Sequence, residues 1–173
     1  MRLVQVELRP PRLDDEAALR HLHSQLSREG FDFLMADGAW EDILAEYARD
    51  AADWGPGRVP AEFLVAEVPG TAIGRVSIRY RLNAALLEVG GHVGYAVGPE
   101  FRGKGYGQQI LRAAVGRLAA HGVRHVLVTC DASNAASSAL IERCGGQLED
   151  LREGPGGRVT RRYWITSRSH AAE

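Results

Sequence analysis

The chain has 173 residues and a mass of 18.8 kDa, a length that suits one domain of ordinary size. Lys and Arg number 21 against 22 Asp and Glu, so the net charge is −1, which excludes a generic basic nucleic-acid-binding protein. Hydrophobic residues make up 45%, which excludes a disordered chain. No apolar stretch approaches the roughly 18 residues of a membrane span. The apolar stretch of a signal peptide is interrupted by Arg2, Glu7 and Arg9, so we expect no membrane contact and a cytoplasmic location.

The two cysteines, Cys130 and Cys144, lack CxxC spacing and a nearby pair of histidines. We therefore expect two buried free thiols, without a zinc site, a disulfide or any other metal centre. No linker or repeat divides the sequence, which favours one domain over residues 1–173 with its core over about residues 2–166.

Apolar periodicity places the elements of the first half of the chain. A strand, two amphipathic helices and a hairpin around Pro69-Gly70 are predicted, in this order: Arg2–Arg9, Leu13–Arg28, Trp40–Trp54 with its stop at Gly55-Pro56-Gly57, and the strand pair Glu62–Val68 and Ala72–Tyr80.

The second half begins with a predicted loop, Arg81–Glu88, and a strand, His92–Val97. A glycine-rich turn then leads into a helix whose apolar stripe is Ile110, Leu111, Ala114, Val115, Leu118 and Ala119 and whose stop is Gly122. The remaining predicted elements are the strand Val123–Cys130, the helix Asn134–Arg143 and the strands Gln147–Arg152 and Val159–Thr166.

The glycine-rich turn, Gly98–Gly107, connects a strand to the start of a helix, where backbone N–H groups converge. Such a turn binds phosphate oxygens well, and its glycines allow a positive φ and a close approach of backbone to ligand. Arg102 and Lys104 add positive charge. The turn therefore predicts a pyrophosphate site.

The spacing of the glycines distinguishes three phosphate-binding motifs. A nucleotide-binding P-loop fails because Gly105 stands where a hydroxyl residue should follow Lys104, and the dinucleotide fingerprint fails because the spacing is G-x-G-x-G. The motif R-x-x-G-x-G fits at Arg102, Gly105 and Gly107. In this the chain resembles the GNAT superfamily of acyl-coenzyme A-dependent N-acyltransferases, whose pyrophosphate loop has this motif after the fourth strand.

The resemblance implies an α/β (α+β) fold: a mixed, mostly antiparallel sheet of about seven strands, splayed between strands 4 and 5, with four helices. It implies an N-acetyltransferase that moves an acetyl group from acetyl-CoA to a primary amine by direct attack in a ternary complex. The cofactor-binding residues it implies are Tyr95, Ala96, Val97, Arg102, Gly103, Lys104, Gly105, Tyr106, Gly107 and Asn134. In relatives the oxyanion donor is a strand-4 backbone N–H, which corresponds to Val97, and a β-bulge there would turn it toward the ligand.

A second signature of the family, N-x-x-A-x-x-L-Y-x-x-x-G-F, is similar to the stretch from Asn134 to Gly146. The matching positions are Asn134, Leu140 and Gly145; the departures are Ser137, Ile141 and Gly146. Ile141 stands where many relatives have a tyrosine that protonates the leaving thiolate, so another group does so or the thiolate leaves unassisted. Asn134 either binds the pantetheine amides or caps the following helix.

The attacking amine must lose a proton, and His92 is the first candidate base because its ordinary pKa lies near neutrality. Glu88 is the second. The alternatives are a structural histidine, a solvated carboxylate and a chain of waters.

Charge is unevenly distributed along the sequence. The segment from Phe31 to Gly55 has a net charge of −6, from seven acidic residues and Arg49, and it either forms an acidic wall that attracts a cationic amine or is a solvated helix face. The acidic residues are Asp32, Asp37, Glu41, Asp42, Glu46, Asp50 and Asp53. The C-terminal basic residues, predicted either to pair across strands or to be solvated rather than to bind nucleic acid, are Arg152, Arg158, Arg161, Arg162 and Arg168.

The alternative to an enzyme is a non-catalytic acyl-CoA sensor of the same fold, favoured by Ile141 and by the absence of a certain base. The expected partners are acetyl-CoA and an amine, and the expected state is a monomer or homodimer.

Overall fold

A seven-stranded sheet runs through the computed structural model, which describes residues 4–52, 56 and 59–167. Its strands are β1 (Glu7–Arg9), β2 (Ala61–Val68), β3 (Thr71–Arg79), β4 (Val93–Val97), β5 (His125–Asp131), β6 (Gln147–Glu153) and β7 (Val159–Thr166). Their order in the sheet is β1-β2-β3-β4-β5-β7-β6. The β4–β5 pair is parallel and the other neighbouring pairs are antiparallel. This confirms the predicted mixed, mostly antiparallel sheet.

Five α-helices surround the sheet in the described residues, one more than predicted. They are α1 (Glu16–Ser27), α2 (Trp40–Ala52), α3 (Ala84–Glu88), α4 (Tyr106–Ala120) and α5 (Ala135–Arg143). The additional helix, α3, lies within the segment predicted as a loop. It is too short to show periodicity, and it begins where the Asn83 side chain accepts a hydrogen bond from the Leu86 N–H at 2.9 Å.

The first strand is shorter than predicted because a side chain takes the place of a neighbouring strand. Gln109 of α4 accepts from the Val6 N–H at 3.0 Å and donates to the Val4 carbonyl at 3.2 Å. The backbone of residues 4–6 is therefore satisfied without joining β1. Several residues of the predicted elements and charge clusters lie outside the described residues: Arg2, Asp53, Trp54, Gly55, Gly57 and Arg168.

The sheet has a hydrophobic core on each face, because successive side chains of a strand point to opposite faces. One core joins α4 and α5 to residues such as Val76 and Val128, and the other joins α1 and α2 to residues such as Phe63 and Val65. We call the two sides the α4–α5 face and the α1–α2 face. A ligand that passes between two strands can thus reach both faces.

The predicted cross-strand pairing of C-terminal arginines is present in the described residues. Arg158 pairs with Asp131 at 2.9 Å, and Arg162 pairs with Glu149 and Asp150 at 2.6 and 2.8 Å. The side chain of Arg162 is 2% exposed, so its two carboxylates compensate a charge that water does not reach.

Candidate functional site

The sheet is open between its two parallel strands. Within the described residues, β4 and β5 pair only where β4 begins: Val93 and the nearby Gly91 both pair with Val128. The β5–β7 pair, by contrast, is continuous from His125 to Asp131. Beyond Val93 the two parallel strands therefore separate, which confirms the predicted splay between strands 4 and 5.

Two backbone amides of β4 point into this gap. The register between β3 and β4 is regular. The Gly98 N–H donates to the Ile73 carbonyl and the Arg79 N–H donates to the His92 carbonyl, each at 2.8 Å. These two bonds determine which backbone groups of β4 point toward β3. Hydrogen-bonding direction alternates along an antiparallel strand. The N–H groups of Tyr95 and Val97 consequently point toward β5, which does not pair with them. The β-bulge predicted at Val97 is absent from the β3–β4 pairing, because ordinary alternation already directs these amides into the gap.

The glycine-rich turn follows β4 and leads into α4. Gly103 and Gly105 have φ values of +75° and +81°, and Gly105 directly precedes the first residue of the helix. A Cβ at either position would meet nothing within 4 Å, so backbone conformation rather than space requires glycine there. Gly107 differs, because its Cβ would lie 2.7 Å from Leu140 of α5. The turn thus presents the free N–H groups of a helix terminus beside the gap.

The two cations of the turn lie in different surroundings. Arg102 donates through Nε to the Val97 carbonyl at 3.1 Å and holds the Glu29 carboxylate through both terminal nitrogens, at 3.1 and 2.7 Å. Arg102 lowers the pKa of Glu29. Lys104 is exposed, with Nζ 5.9 Å from the centre of the Phe101 ring. Lys104 is the cation more available to an anion at the turn, a distinction that the motif did not reveal.

The first turn of α5 faces the gap from the β5 side. Asn134 caps this helix, since its side chain accepts from the Ser137 N–H at 3.0 Å, as one of the two predictions for it required. Across the gap, the Tyr95 hydroxyl and the Ser137 hydroxyl are 3.1 Å apart. Burial raises the pKa of Tyr95 to about 12, so this phenol remains protonated. The sequence had marked Ser137 only as a departure from the family pattern.

Ile141 and the two cysteines differ in how deeply they are buried. Ile141 is fully buried in the core on the α4–α5 face. Cys130 and Cys144 are free but only partly buried, contrary to the prediction of buried thiols. Burial raises the pKa of both thiols, which makes them poor nucleophiles.

His92 joins β4 to β5 at the closed end of the gap. Its backbone N–H donates to the Leu127 carbonyl and its Nδ1 accepts from the Leu127 N–H, at 2.8 and 2.9 Å. Neutral imidazole has one lone pair for this purpose, and the Leu127 N–H occupies it. Burial, followed by the charge of Arg79, lowers the pKa of His92 to about 4. Both features disfavour the predicted role of general base, which measured turnover can test.

Glu88, the second candidate base, ends α3. Its exposed carboxylate forms an ion pair with Arg152, and its side chain is 57% exposed. The carboxylate is therefore solvated and paired, and the structure does not bring it into contact with His92.

The α1–α2 face carries the acidic segment. Buried Trp40, Ile43 and Tyr47 hold α2 on the sheet, while Glu41 and Asp42 are exposed. A pocket beneath α2 is lined by Met35, Tyr47, Asp50, Ala61, Phe63 and Ser77. Glu41 and Asp42 thus lie on a solvated helix face, whereas Asp50 lines this pocket.

An open gap between two parallel strands, next to an anion-binding turn, is the arrangement expected of the GNAT acyltransferase fold. The family model described as "Acetyltransferase (GNAT) domain" matches residues 5–147. The chain belongs to the GNAT family of acetyltransferases and is an acetyltransferase by that membership.

Solved structures share this fold. RimJ of Mycobacterium smegmatis in complex with CoA-disulfide is 22% identical, with a TM-score of 0.74 over 97% of this chain and 85% of that one. The ribosomal L7/L12 alpha-N-protein acetyltransferase RimL, bound to coenzyme A through a cysteine disulfide, is 19% identical, with a TM-score of 0.71 over 94% of each chain. The Microcin C7 self immunity acetyltransferase MccE with acetyl-CoA and AMP is 21% identical, with a TM-score of 0.69 over 94% and 93%. No curated protein matches the chain.

The described helices include none that is both long and apolar enough to cross a membrane.

The substitution Gly105→Val tests the turn. Valine at a φ of +81° is strained by about 1–3 kcal/mol, so the turn will change its conformation and coenzyme A affinity will fall more than tenfold, as isothermal titration calorimetry can measure. The matched control is Gly116→Ala in the middle of α4, where a Cβ meets nothing within 4 Å. That variant should bind coenzyme A normally and gain up to about 1 kcal/mol of stability. Unchanged affinity in the valine variant would place the phosphate site elsewhere.

His92 generates a prediction about stability. Because the folded state keeps this imidazole neutral down to a pH of about 4, the unfolded state alone binds a proton between that pH and about 6.5. Stability should therefore decrease by about 3 kcal/mol as the pH falls through this window. His92→Asn, which keeps an acceptor near Nδ1, should lose this pH dependence in denaturant titrations. His92→Ala leaves the Leu127 N–H without its acceptor, so at neutral pH its free energy of unfolding should be about 1–3 kcal/mol lower than that of the wild type.

The same asparagine variant decides the chemical role. We expect its turnover, and that of Glu88→Gln, to stay within a few-fold of the wild type. A loss of roughly 10²–10⁴-fold in a stably folded His92→Asn or Glu88→Gln variant would establish that residue as the base.

Proposed function

We propose that the protein transfers the acetyl group of acetyl-CoA to a primary amine by direct attack in a ternary complex. The observation that carries this proposal is the gap between β4 and β5, into which two unpaired amides point beside a turn with free helix-terminal N–H groups. An acyl thioester of coenzyme A has an anionic pyrophosphate, an extended amide-bearing arm and a polarised carbonyl. Each of these parts has a complementary group along the gap.

The turn would bind the pyrophosphate. The N–H groups from Gly103 to Gly107 and the exposed charge of Lys104 supply the donors, and the positive φ of Gly105 aims them outward. The arm would then run between the strands, past Ala96 and Val97. The Asn134 side-chain oxygen is used by the helix cap, so its amide nitrogen is the group left for the arm.

The backbone N–H of Val97, the donor that the resemblance implies, would stabilise the tetrahedral intermediate. The Tyr95 N–H lies two residues away, about 7 Å along the strand, and would be left for the amide-bearing arm. Backbone donors fixed in a strand need no reorganisation as charge develops on the carbonyl oxygen, and one such donor contributes about 3 kcal/mol in known enzymes. Since the Val97 N–H lacks a partner strand, bonding it to an oxyanion breaks no hydrogen bond of the sheet.

The hydroxyl pair of Tyr95 and Ser137 would donate to the leaving thiolate. It spans the gap at 3.1 Å and replaces the proton donor that Ile141 cannot provide. Either hydroxyl can donate, so one can bond to the other while its partner donates to sulfur.

The amine would enter from the α1–α2 face, opposite α4 and α5. The lone pair of His92 is engaged by Leu127, and Glu88 forms an ion pair with Arg152. The proton of the amine would therefore pass to water at that opening. The relatives act on unlike acceptors: RimL is named for a ribosomal protein, and MccE was solved with AMP. We therefore propose a primary amine without choosing between protein and small molecule.

Ligand binding and transfer test the proposal together. At about 100 times its dissociation constant a ligand adds roughly 2.7 kcal/mol, so acetyl-CoA should raise the melting temperature by about 5–10 °C. ATP with magnesium and NAD should raise it far less. Amines incubated with acetyl-CoA should release free thiol in proportion to acetylated product. A shift with acetyl-CoA but no thiol release from a broad amine set would favour the non-catalytic sensor, and a larger shift with ATP would overturn the assignment.

Tyr95→Phe and Ser137→Ala test the leaving-group donor. Loss of one hydrogen bond to a developing charge should lower kcat by about 10–100-fold while coenzyme A affinity stays nearly constant. Tyr80→Phe is the matched control, because the Tyr80 hydroxyl bonds to Glu62 at 2.6 Å, away from the gap. Equal kcat values in all three variants would show that the thiolate leaves unassisted.

A further inference from the structure

Arg79 is a partly buried cation that lacks a counter-ion among the residues that the structure describes. It is the last residue of β3, and its guanidinium donates from Nη1 to the Gly91 carbonyl at 3.3 Å, its one hydrogen bond to the described part of the chain. Within the described residues it forms no ion pair. The charge of Arg79 is poorly solvated, and this burial lowers its pKa.

Two other buried arginines show what compensation looks like in this protein. Arg75 donates to the carbonyls of Phe33, Gly94 and Asp32 at 3.0 to 3.1 Å and lies over three phenylalanine rings. Arg162 pairs with two carboxylates. Arg79 has neither set of partners, which leaves most of its five N–H donors free.

The position of Arg79 places these donors at the closed end of the gap. Its backbone pairs with His92, directly before the point where β4 and β5 separate, and its side chain shares the α1–α2 face with Ser77 of the pocket. Its neighbour in β2 is Ala61, which lines the same pocket. A Cβ at Gly90 would lie 3.9 Å from Nη1, which places the chain before His92 beside the guanidinium.

We propose that Arg79 binds an anionic group, a carboxylate or a phosphate, carried by the acceptor amine. This inference rests on the proposed function, because it assigns the class of acceptor to the same site. A planar guanidinium binds either anion through two parallel N–H donors. An acceptor of this class would supply the missing counter-ion, and it would enter on the face from which we expect the amine.

A binding experiment tests the proposal without turnover. In the full chain, the Nε–H signals of arginines are followed by NMR while acetate, inorganic phosphate or neutral acetamide is added, and Arg79→Gln identifies the relevant signal. We expect acetate or phosphate, but not acetamide, to shift the Arg79 signal saturably while those of Arg75 and Arg162 stay in place. The anion that binds with the higher affinity identifies the group as a carboxylate or a phosphate. An Arg79 signal that responds to neither anion would overturn the proposal.

Kinetics provide the second measurement. Acceptor pairs that differ only in the anion are compared: amino acids with their amides, and phosphoethanolamine with ethanolamine. Arg79→Gln should lower kcat/KM for the anionic member about 10–100-fold and leave the neutral member nearly unchanged. Exposed Arg124→Gln is the control, and a melting curve of each variant verifies folding. Equal losses for both members would overturn the proposal. Absence of turnover with every amine would contradict the proposed function, while the anion titration would still decide the role of Arg79.

Discussion

The hydrogen-bonded contact between His92 and Leu127 is the constraint on which the open sheet depends. Two parallel strands can separate along most of their length only if they are held firmly where they still meet. Here the backbone N–H and the imidazole of one residue bond to both polar groups of Leu127. Gly91 brings the chain against β5 so closely that a Cβ would lie 2.4 Å from the Leu127 carbonyl oxygen. The backbone there is satisfied, and the backbone beyond it is left free for a ligand.

The conformation of the glycine-rich turn was predictable from the sequence because local chemistry determines it. The spacing of Arg102, Gly105 and Gly107 defines a turn whose conformation depends on a few adjacent residues, and the structure shows the positive φ that the motif requires. The central strands were predictable for a similar reason, since a sheet covered on both faces gives near-continuous apolar runs such as that of β5. The direction of the Tyr95 and Val97 amides follows from register, which a single sequence does not reveal.

The chemistry of individual side chains was much less predictable. A histidine at the start of a strand is compatible with a base and with a structural contact, and the sequence does not reveal its bond to Leu127 on another strand. The Tyr95–Ser137 contact joins residues 42 positions apart, so no local pattern could indicate it. The short helix α3 was missed because five residues give no periodic signal. For His92 and for the Tyr95–Ser137 pair, the deciding partner is distant in sequence.

The cations on the α1–α2 face differ in the groups that compensate their charge. Arg75 fixes the segment after α1 to the sheet through carbonyl groups, which satisfies a guanidinium without consuming any of the acidic side chains nearby. The carboxylates of Glu41 and Asp42 therefore remain in water, where they cannot neutralise a cation beside β4. Since net negative charge over this segment coexists with an uncompensated Arg79, overall charge is a poor guide to the acceptor. The local pairing of each guanidinium is the better guide, because the energy of a charge pair falls with distance and salt screens exposed charges more than about 10 Å away.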